Sequence, residues 1–208
     1  MPNRESITAP GPTGRANQKL RTRTAILQAA AALMRTGREI SMLEVAQAAL
    51  VSEATAYRYF PDLASLLQEA MAGQMPTPAE ALRDVAGSPD PVVRIAAATE
   101  HLLRTVLDFQ GATRAMIAAT ITRPARADAR PGLRFGLIEH ALAPLEGVLS
   151  APARRQLEND LAVVVSAEAL FNLTDLCGLA PEEAIASVVH TATTLTRAAL
   201  PGSATTPG

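Results

Sequence analysis

The stretch Ala46-Gln47-Ala48-Ala49-Leu50-Val51-Ser52-Glu53-Ala54-Thr55-Ala56-Tyr57-Arg58-Tyr59-Phe60-Pro61-Asp62, read with Ser41 and Glu44 just before it, decides the fold. Ser41-x-x-Glu44 is a capping box, so a short helix begins at Ser41 and continues through Val45, Ala46 and Ala49. Ser52 caps the next helix, and Glu53 sits favourably against the positive end of its dipole. Pro61 closes that helix, and Asp62 caps a further one running to about Gln74. Two short capped helices joined by a few residues have helix-turn-helix spacing, a pattern found in many all-α chains. The aromatic residues single this one out. The chain has two Tyr and four Phe, and Tyr57, Tyr59 and Phe60 fall within four positions.

Helical geometry sorts these residues by face. Ala56 and Phe60 are i, i+4 and apolar, with Tyr59 beside them, so that side packs inward. Ala54, Thr55 and Arg58 then point outward, flanked by Glu53 and Tyr57. Small residues with one arginine let a helix approach a DNA groove closely. Arg58 suits a guanine edge or a phosphate, and Thr55 suits a thymine methyl or a phosphate. The N–H groups near Ser52 and the Tyr57 and Tyr59 hydroxyls suit phosphate oxygens. Glu53 serves as a cap or accepts from a cytosine amino group, and the tyrosines also have the option of filling a small core. The candidate DNA contacts are Ser41, Ser52, Glu53, Ala54, Thr55, Tyr57, Arg58 and Tyr59, with Arg21 and Arg23 from the preceding helix.

Residues 46–62 resemble the DNA-binding signature of the tetracycline-repressor (TetR) family, which reads Ala, a polar pair, Ala-Gly-Val-Ser, then Thr-Leu-Tyr-x-Tyr-Phe. The resemblance covers about residues 20–70. It implies a bacterial, cytoplasmic transcriptional regulator, most often a repressor. Such a protein acts as a homodimer on double-stranded operator DNA and responds to a small molecule. Three positions depart from the pattern. Leu50 replaces the usual turn glycine, so the turn must avoid a positive φ or carry strain. Leu63 stands where a phosphate-binding lysine is common, and Glu53 where a basic or polar residue is frequent. Arg21 and Arg23, with Arg15 and Lys19, are placed to compensate by touching the backbone or a minor groove.

Outward from this segment the apolar spacing stays helical. The chain has 208 residues, 48% of them hydrophobic, which suffices for a core and excludes a polyelectrolyte. Alanine is about a fifth of the sequence and strand formers are few, so the fold class is all-α with about nine helices. Residues 1–16 and 201–208, rich in Pro and Gly, read as disordered tails. Residues 17–61 form the helix-turn-helix domain, opening with a helix from Asn17 to Thr36. Residues 62–200 form a regulatory and dimerisation domain. Within it, Met75–Pro91 is a proline-broken connection, and a long amphipathic helix carries Val92, Ile95, Thr99, Leu102, Val106 and Phe109. Helices over Ala112–Thr122, Leu133–Leu149 (kinked at Pro144), Ala153–Cys177 and Pro181–Leu200 complete it, with the loop Arg123–Gly132 between the first two.

Charge is unevenly spread. Residues 1–60 carry eight bases and four acids, whereas the other 148 carry eleven bases and sixteen acids, so a near-neutral total of −1 hides a basic N-terminal segment. That segment suits an anionic partner or is simply a solvated basic tail. Apolar runs are too short for a membrane span, no secretory signal is visible, and the lone Cys177 excludes a disulfide framework.

No catalytic constellation, phosphate loop or metal-binding motif is visible, and neither an enzyme nor a cofactor is expected. His101, His140 and His190 fall on three different helices. The middle helices supply a candidate apolar pocket lined by Thr99, His101, Leu102, Val106, Met116, Leu137 and His140, suited to an unknown small apolar effector. The alternative is that these residues merely close the core. By the resemblance, the last two helices pair across a homodimer, with Leu161, Val164, Phe171, Ile185, Val188 and Ala192 as candidate interface residues. A monomeric core is the alternative. The contrasting functional reading is a helical small-molecule-binding protein whose DNA binding is weakened or lost.

Overall fold

The computed structural model describes residues 14–122 and 132–201, and every regular element among them is helical. Most of the two expected tails, and nearly all of the loop Arg123–Gly132, lie outside those residues.

The first helix, α1 (Gly14–Met34), begins three residues before the expected Asn17 and stops where Gly37 takes φ 69°. Ile26, Ala30 and Met34 recur every fourth residue along it, and all three are buried. They meet Val45 and Ala46 of α2 (Met42–Ala48), Ala56 of α3 (Glu53–Tyr59) and Phe60 behind it. This core does not end at Pro61. Leu66, Leu67 and Met71 of α4 (Leu63–Ala72) belong to it, and so do Ala112 and Met116 of a later helix.

The proline-rich connection is more ordered than expected. Thr77 and Glu80 form a second capping box, with the Thr77 N–H donating to the Glu80 carboxylate at 2.8 Å, and Pro78 opens α5 (Pro78–Ala81). A 3-10 turn over Arg83–Val85 follows, and Leu82 between them is buried in the C-terminal core. Asp90 then caps α6 (Pro91–Asp108), accepting from the Val92 N–H at 2.8 Å.

Arg94 on α6 is a buried cation that the sequence does not flag. Its guanidinium donates to the carbonyls of Val85, Ala86, His140 and Ala141 at 2.8–3.2 Å, tying the connection after α5 to the end of α8 (Leu133–Ala141). A charge in this position is tolerable because four carbonyl dipoles face it, two of them at a helix C-terminus.

Between α6 and α8 runs α7 (Gln110–Thr122). Instead of kinking at Pro144, α8 stops at Ala141, and a 3-10 turn covers Ala143–Leu145. The expected helix Ala153–Cys177 is also divided, into α9 (Ala151–Val164), α10 (Ala167–Phe171) and a π turn over Asn172–Leu176. Three successive valines, Val163–Val165, are poor helix formers, and Ser166 then starts a new helix. Its hydroxyl accepts from the Ala169 N–H at 3.1 Å and donates to the Val163 carbonyl at 3.0 Å. The chain closes with α11 (Pro181–Ala199), whose first turn is held by the Glu183 carboxylate accepting from the Ala180 N–H.

Helix α6 divides the C-terminal core in two. Ile95, Ala98 and Leu102 face a cluster with Leu137, Leu161 and Ala192; Leu103 and Val106 face another with Phe171, Ile185 and Val188. This corrects the expected dimer seam. Leu161, Phe171, Ile185, Val188 and Ala192 are buried within one chain, and Val164 packs partly against the first of these clusters. The amphipathic face of α6 needs a partner, and α11 supplies it.

Candidate nucleic-acid interface and cavity

The candidate interface is built from two capped helices and one strained turn. At the start of α2 the Ser41 hydroxyl accepts from the Glu44 N–H at 3.2 Å and donates to the Glu44 carboxylate at 2.9 Å. Arg38 donates to that same carboxylate at 2.5 Å. Together these donors hold the Glu44 carboxyl down at about 2 from an ordinary 4.5, the Arg38 hydrogen bond acting most strongly and those of Ser41 next. At the start of α3 the Ser52 hydroxyl accepts from the Thr55 N–H at 3.2 Å and lies 2.9 Å from the Thr55 hydroxyl. The Ser41 and Ser52 hydroxyls serve as the caps the sequence predicts, and the Thr55 hydroxyl lies against the second of them.

Leu50 takes φ 56°, the one left-handed non-glycine among the described residues, and its side chain is 92% exposed. The strain anticipated at the missing glycine is present.

The two faces of α3 separate as the spacing predicts except at Thr55, which is half-buried rather than fully outward. Ala56 and Phe60 are buried, and Tyr59 packs half-buried beside them. Glu53, Ala54, Tyr57 and Arg58 are exposed, with the Arg58 guanidinium 5.9 Å from the Tyr59 ring centre. Leu63, which stands in place of a lysine, packs against the N-terminal core.

Among the described residues, several cations of this basic segment are already paired. Arg23 is the correction here: it joins Glu69 of α4 at 2.5–2.6 Å and lies over the Phe60 ring at 5.0 Å, so it braces α1 against α4. Arg35 donates to Gln74 at 2.5 Å, and Arg38 holds Glu44. Lys19, Arg21 and Arg58 remain exposed and have no carboxylate partner among the described residues. The side chain of Arg15 lies outside the description.

The expected pocket divides between two adjoining cavities. One, of about 260 Å³, is lined by Leu102, Val106 and Met116 as expected, and also by Met71, Arg134 and Glu168. The other, of about 320 Å³, has His101 and Leu137 in its wall, together with Met75 and Pro78. Leu102, Thr105, Gly132 and Leu133 border both. Thr99 and His140 line neither. Thr99 is fully buried and its hydroxyl bonds back to the Ile95 carbonyl at 2.7 Å, while His140 lies at the end of α8, where its carbonyl receives Arg94. Arg134 and Glu168 give no periodic signal and were missed, because only tertiary packing brings α8 to α10.

His101, His140 and His190 stay on separate helices, and no group of three His, Cys, Asp or Glu among the described residues is placed to hold a metal ion. No described helix is long and apolar enough to cross a membrane.

No family model matches the sequence, and no curated protein matches it. Among solved structures, the chain is similar to a TetR transcriptional regulator from Rhodococcus sp. RHA1, at 20% identity and a TM-score of 0.55, over 86% of this chain and 97% of that one. The shared part takes in far more than a helix-turn-helix. With α1–α4 closing a head around Phe60 and the later helices stacked on α6, the chain has the all-α fold of a TetR transcriptional regulator.

Proposed function

We propose that this protein is a DNA-binding transcriptional regulator, acting as a homodimeric, ligand-responsive repressor. The observation that carries the reading is the outward face of α3. Ala54, Tyr57 and Arg58 stand exposed on a helix anchored from behind by Ala56 and Phe60, on a fold shared with a TetR regulator. Small side chains permit close approach to the groove, Arg58 supplies a forked donor for a guanine or phosphate, and the Tyr57 hydroxyl supplies a phosphate contact. Lys19 and Arg21, exposed and without a carboxylate partner among the described residues, add positive charge from α1. Two such heads on a symmetric dimer read two half-sites, so the operator is a near-palindrome.

A gel-shift with the DNA upstream of the chain's own coding region tests this reading. Retarded DNA that is lost with Arg58→Ala, and lost progressively as salt rises, is the expected result. The contrasting reading, a ligand-binding protein without DNA function, draws support from Leu63, which packs into the head instead of offering a lysine. Absence of any shift at low salt selects it.

A further inference from the structure

Arg134 is an under-used cation at the wall of an apolar cavity. Among the described residues its guanidinium has one hydrogen-bonding contact, to Glu168 at 3.5 Å, and it lies over the exposed Phe135 ring at 5.1 Å. Arg154 also rests on one contact, though a shorter one to Glu158 at 2.9 Å, and the remaining paired arginines of this domain are better served. Arg114 meets Asp175 with two prongs at 2.6 and 2.8 Å, Arg104 reaches both Glu100 and Glu182, and Arg94 has four carbonyls. Three-quarters of the Arg134 side chain is shielded from solvent, against about three-fifths for Glu168, and Glu168 has a further interaction besides Arg134. The more buried partner of this pair is therefore the less satisfied one. A guanidinium has five N–H donors in a planar fork, and one long contact leaves most of them unspent.

We propose that the cavity takes an amphipathic monocarboxylate, an apolar chain whose terminal carboxylate takes up the free donors of Arg134. This rests on the ligand-responsive reading above and names the class of ligand. The rest of the wall selects the body. Val106, Met116, Ile117 and Met71 are apolar, and the two methionine side chains adapt to an unbranched chain. The Thr113 hydroxyl, which makes no hydrogen bond with the described residues, lines the same cavity and adds a polar group to its wall. Glu168 lines the same cavity and already offsets the Arg134 charge, so the wall offers unspent donors rather than net positive charge; a monoanion is the most it admits, and a phosphate monoester, with nearly two charges, would be left under-compensated in so apolar a site. The second cavity shares Leu102, Thr105, Gly132 and Leu133 with the first, which gives a longer chain room to continue.

The test is calorimetric titration of the full chain with decanoate and, as the neutral analogue, decanol. Decanoate is expected to bind at least tenfold more tightly than decanol. Arg134→Gln should abolish that preference while leaving decanol binding in place, and Glu168→Gln should tighten decanoate severalfold by removing a competing carboxylate. Equal or tighter binding of decanol, no binding of either compound, or an unchanged preference in Arg134→Gln would overturn the proposal. The unaltered chain decides the first comparison, so the test survives a variant that does not fold. Its failure is separable from that of the regulator reading. A chain that retards operator DNA but ignores decanoate overturns the ligand class alone, whereas one that binds decanoate and no DNA keeps the ligand class and overturns the regulator.

Discussion

Leu50 shows how much one position in the turn decides. A left-handed backbone costs a non-glycine residue about 1–2 kcal/mol, and nothing is regained by burial because the side chain is 92% exposed. Glycine relieves this strain but loses about 0.5–1 kcal/mol through the greater freedom of its unfolded state. Leu50→Gly is therefore expected to stabilise the protein by about 0.5–1 kcal/mol, seen as a higher urea midpoint; a lower midpoint would show that Leu50 has a contact of its own. Arg58 and Arg23 separate in the opposite sense. Arg58→Ala should leave the thermal midpoint in place and weaken operator binding by about 1–3 kcal/mol, as expected for a lost base contact. Arg23→Ala should lower stability by about 1 kcal/mol, since its pair with Glu69 is two-fifths exposed and its cation–π contact with Phe60 is modest. Glu69→Ala should reproduce most of that loss without touching DNA. If Arg23→Ala spares stability and abolishes DNA binding, the bracing role is wrong.

At the scale of elements, the start of α2 and the first turn of α7 are the informative joints. The Glu44 carboxyl is depressed to about 2 in the folded protein, so the stability it contributes is fully present above its ordinary 4.5 and is lost as pH falls from there toward 2. Denaturation followed across that window should show Glu44→Gln with a flatter acid limb than the parent, and identical limbs would mean the capping box is open in solution. Gly111 in α7 packs against the loop between α1 and α2. A Cβ there would lie 2.0 Å from the Arg38 carbonyl oxygen and 2.4 Å from its carbon. Gly→Ala inside a helix ordinarily stabilises by about 1 kcal/mol. Here the sign should invert, because the obstruction is backbone rather than a flexible side-chain tip, and a loss of about 1–3 kcal/mol is expected for Gly111→Ala. A raised melting temperature would show that the loop yields freely. Arg114 belongs to the same joint, with its Asp175 pair and its place 3.8 Å over the Phe171 ring fastening α7 to the end of α10.

The whole molecule poses the question of assembly. Helix α11 turns Val188 toward α6 and leaves Ala186, His190 and Thr194 exposed at four-residue intervals. A dimer built on α11 must use that outer stripe, because the inner one is occupied by the chain's own core. Val188→Arg should therefore unfold the protein, an unpaired charge having been placed in a cluster with Leu103 and Ile185. Ala186→Arg and Thr194→Arg should instead keep the helical circular-dichroism signal and shift sedimentation from dimer to monomer. A parent protein that sediments as a monomer at micromolar concentration would rule out two heads reading two half-sites.

Local physics made the head legible in sequence. A capping box, a capping serine, a proline stop, the i, i+4 pairing of Ala56 with Phe60 and the crowding of aromatics at Tyr57–Phe60 are all encoded within a few residues of one another. The helix-turn-helix and the two faces of α3 follow from them directly, whereas at Leu50 the resemblance left two options, strain or a turn without positive φ, and the structure has the strain. Where a side chain's partner lies far along the chain, the sequence is silent. Arg23 reads as a DNA contact until Glu69 appears beside it, and Arg94 carries no signal in the sequence until four carbonyls surround it. The spacing of α11 marks which side is apolar without saying what covers it. Only the packing of α6 against α11 decided that Ile185, Val188 and Ala192 serve the chain's own core. The meeting of α4, α6, α7, α8 and α10 opened a cavity beside Arg134, since tertiary contact, unlike helix periodicity, has no repeat to read.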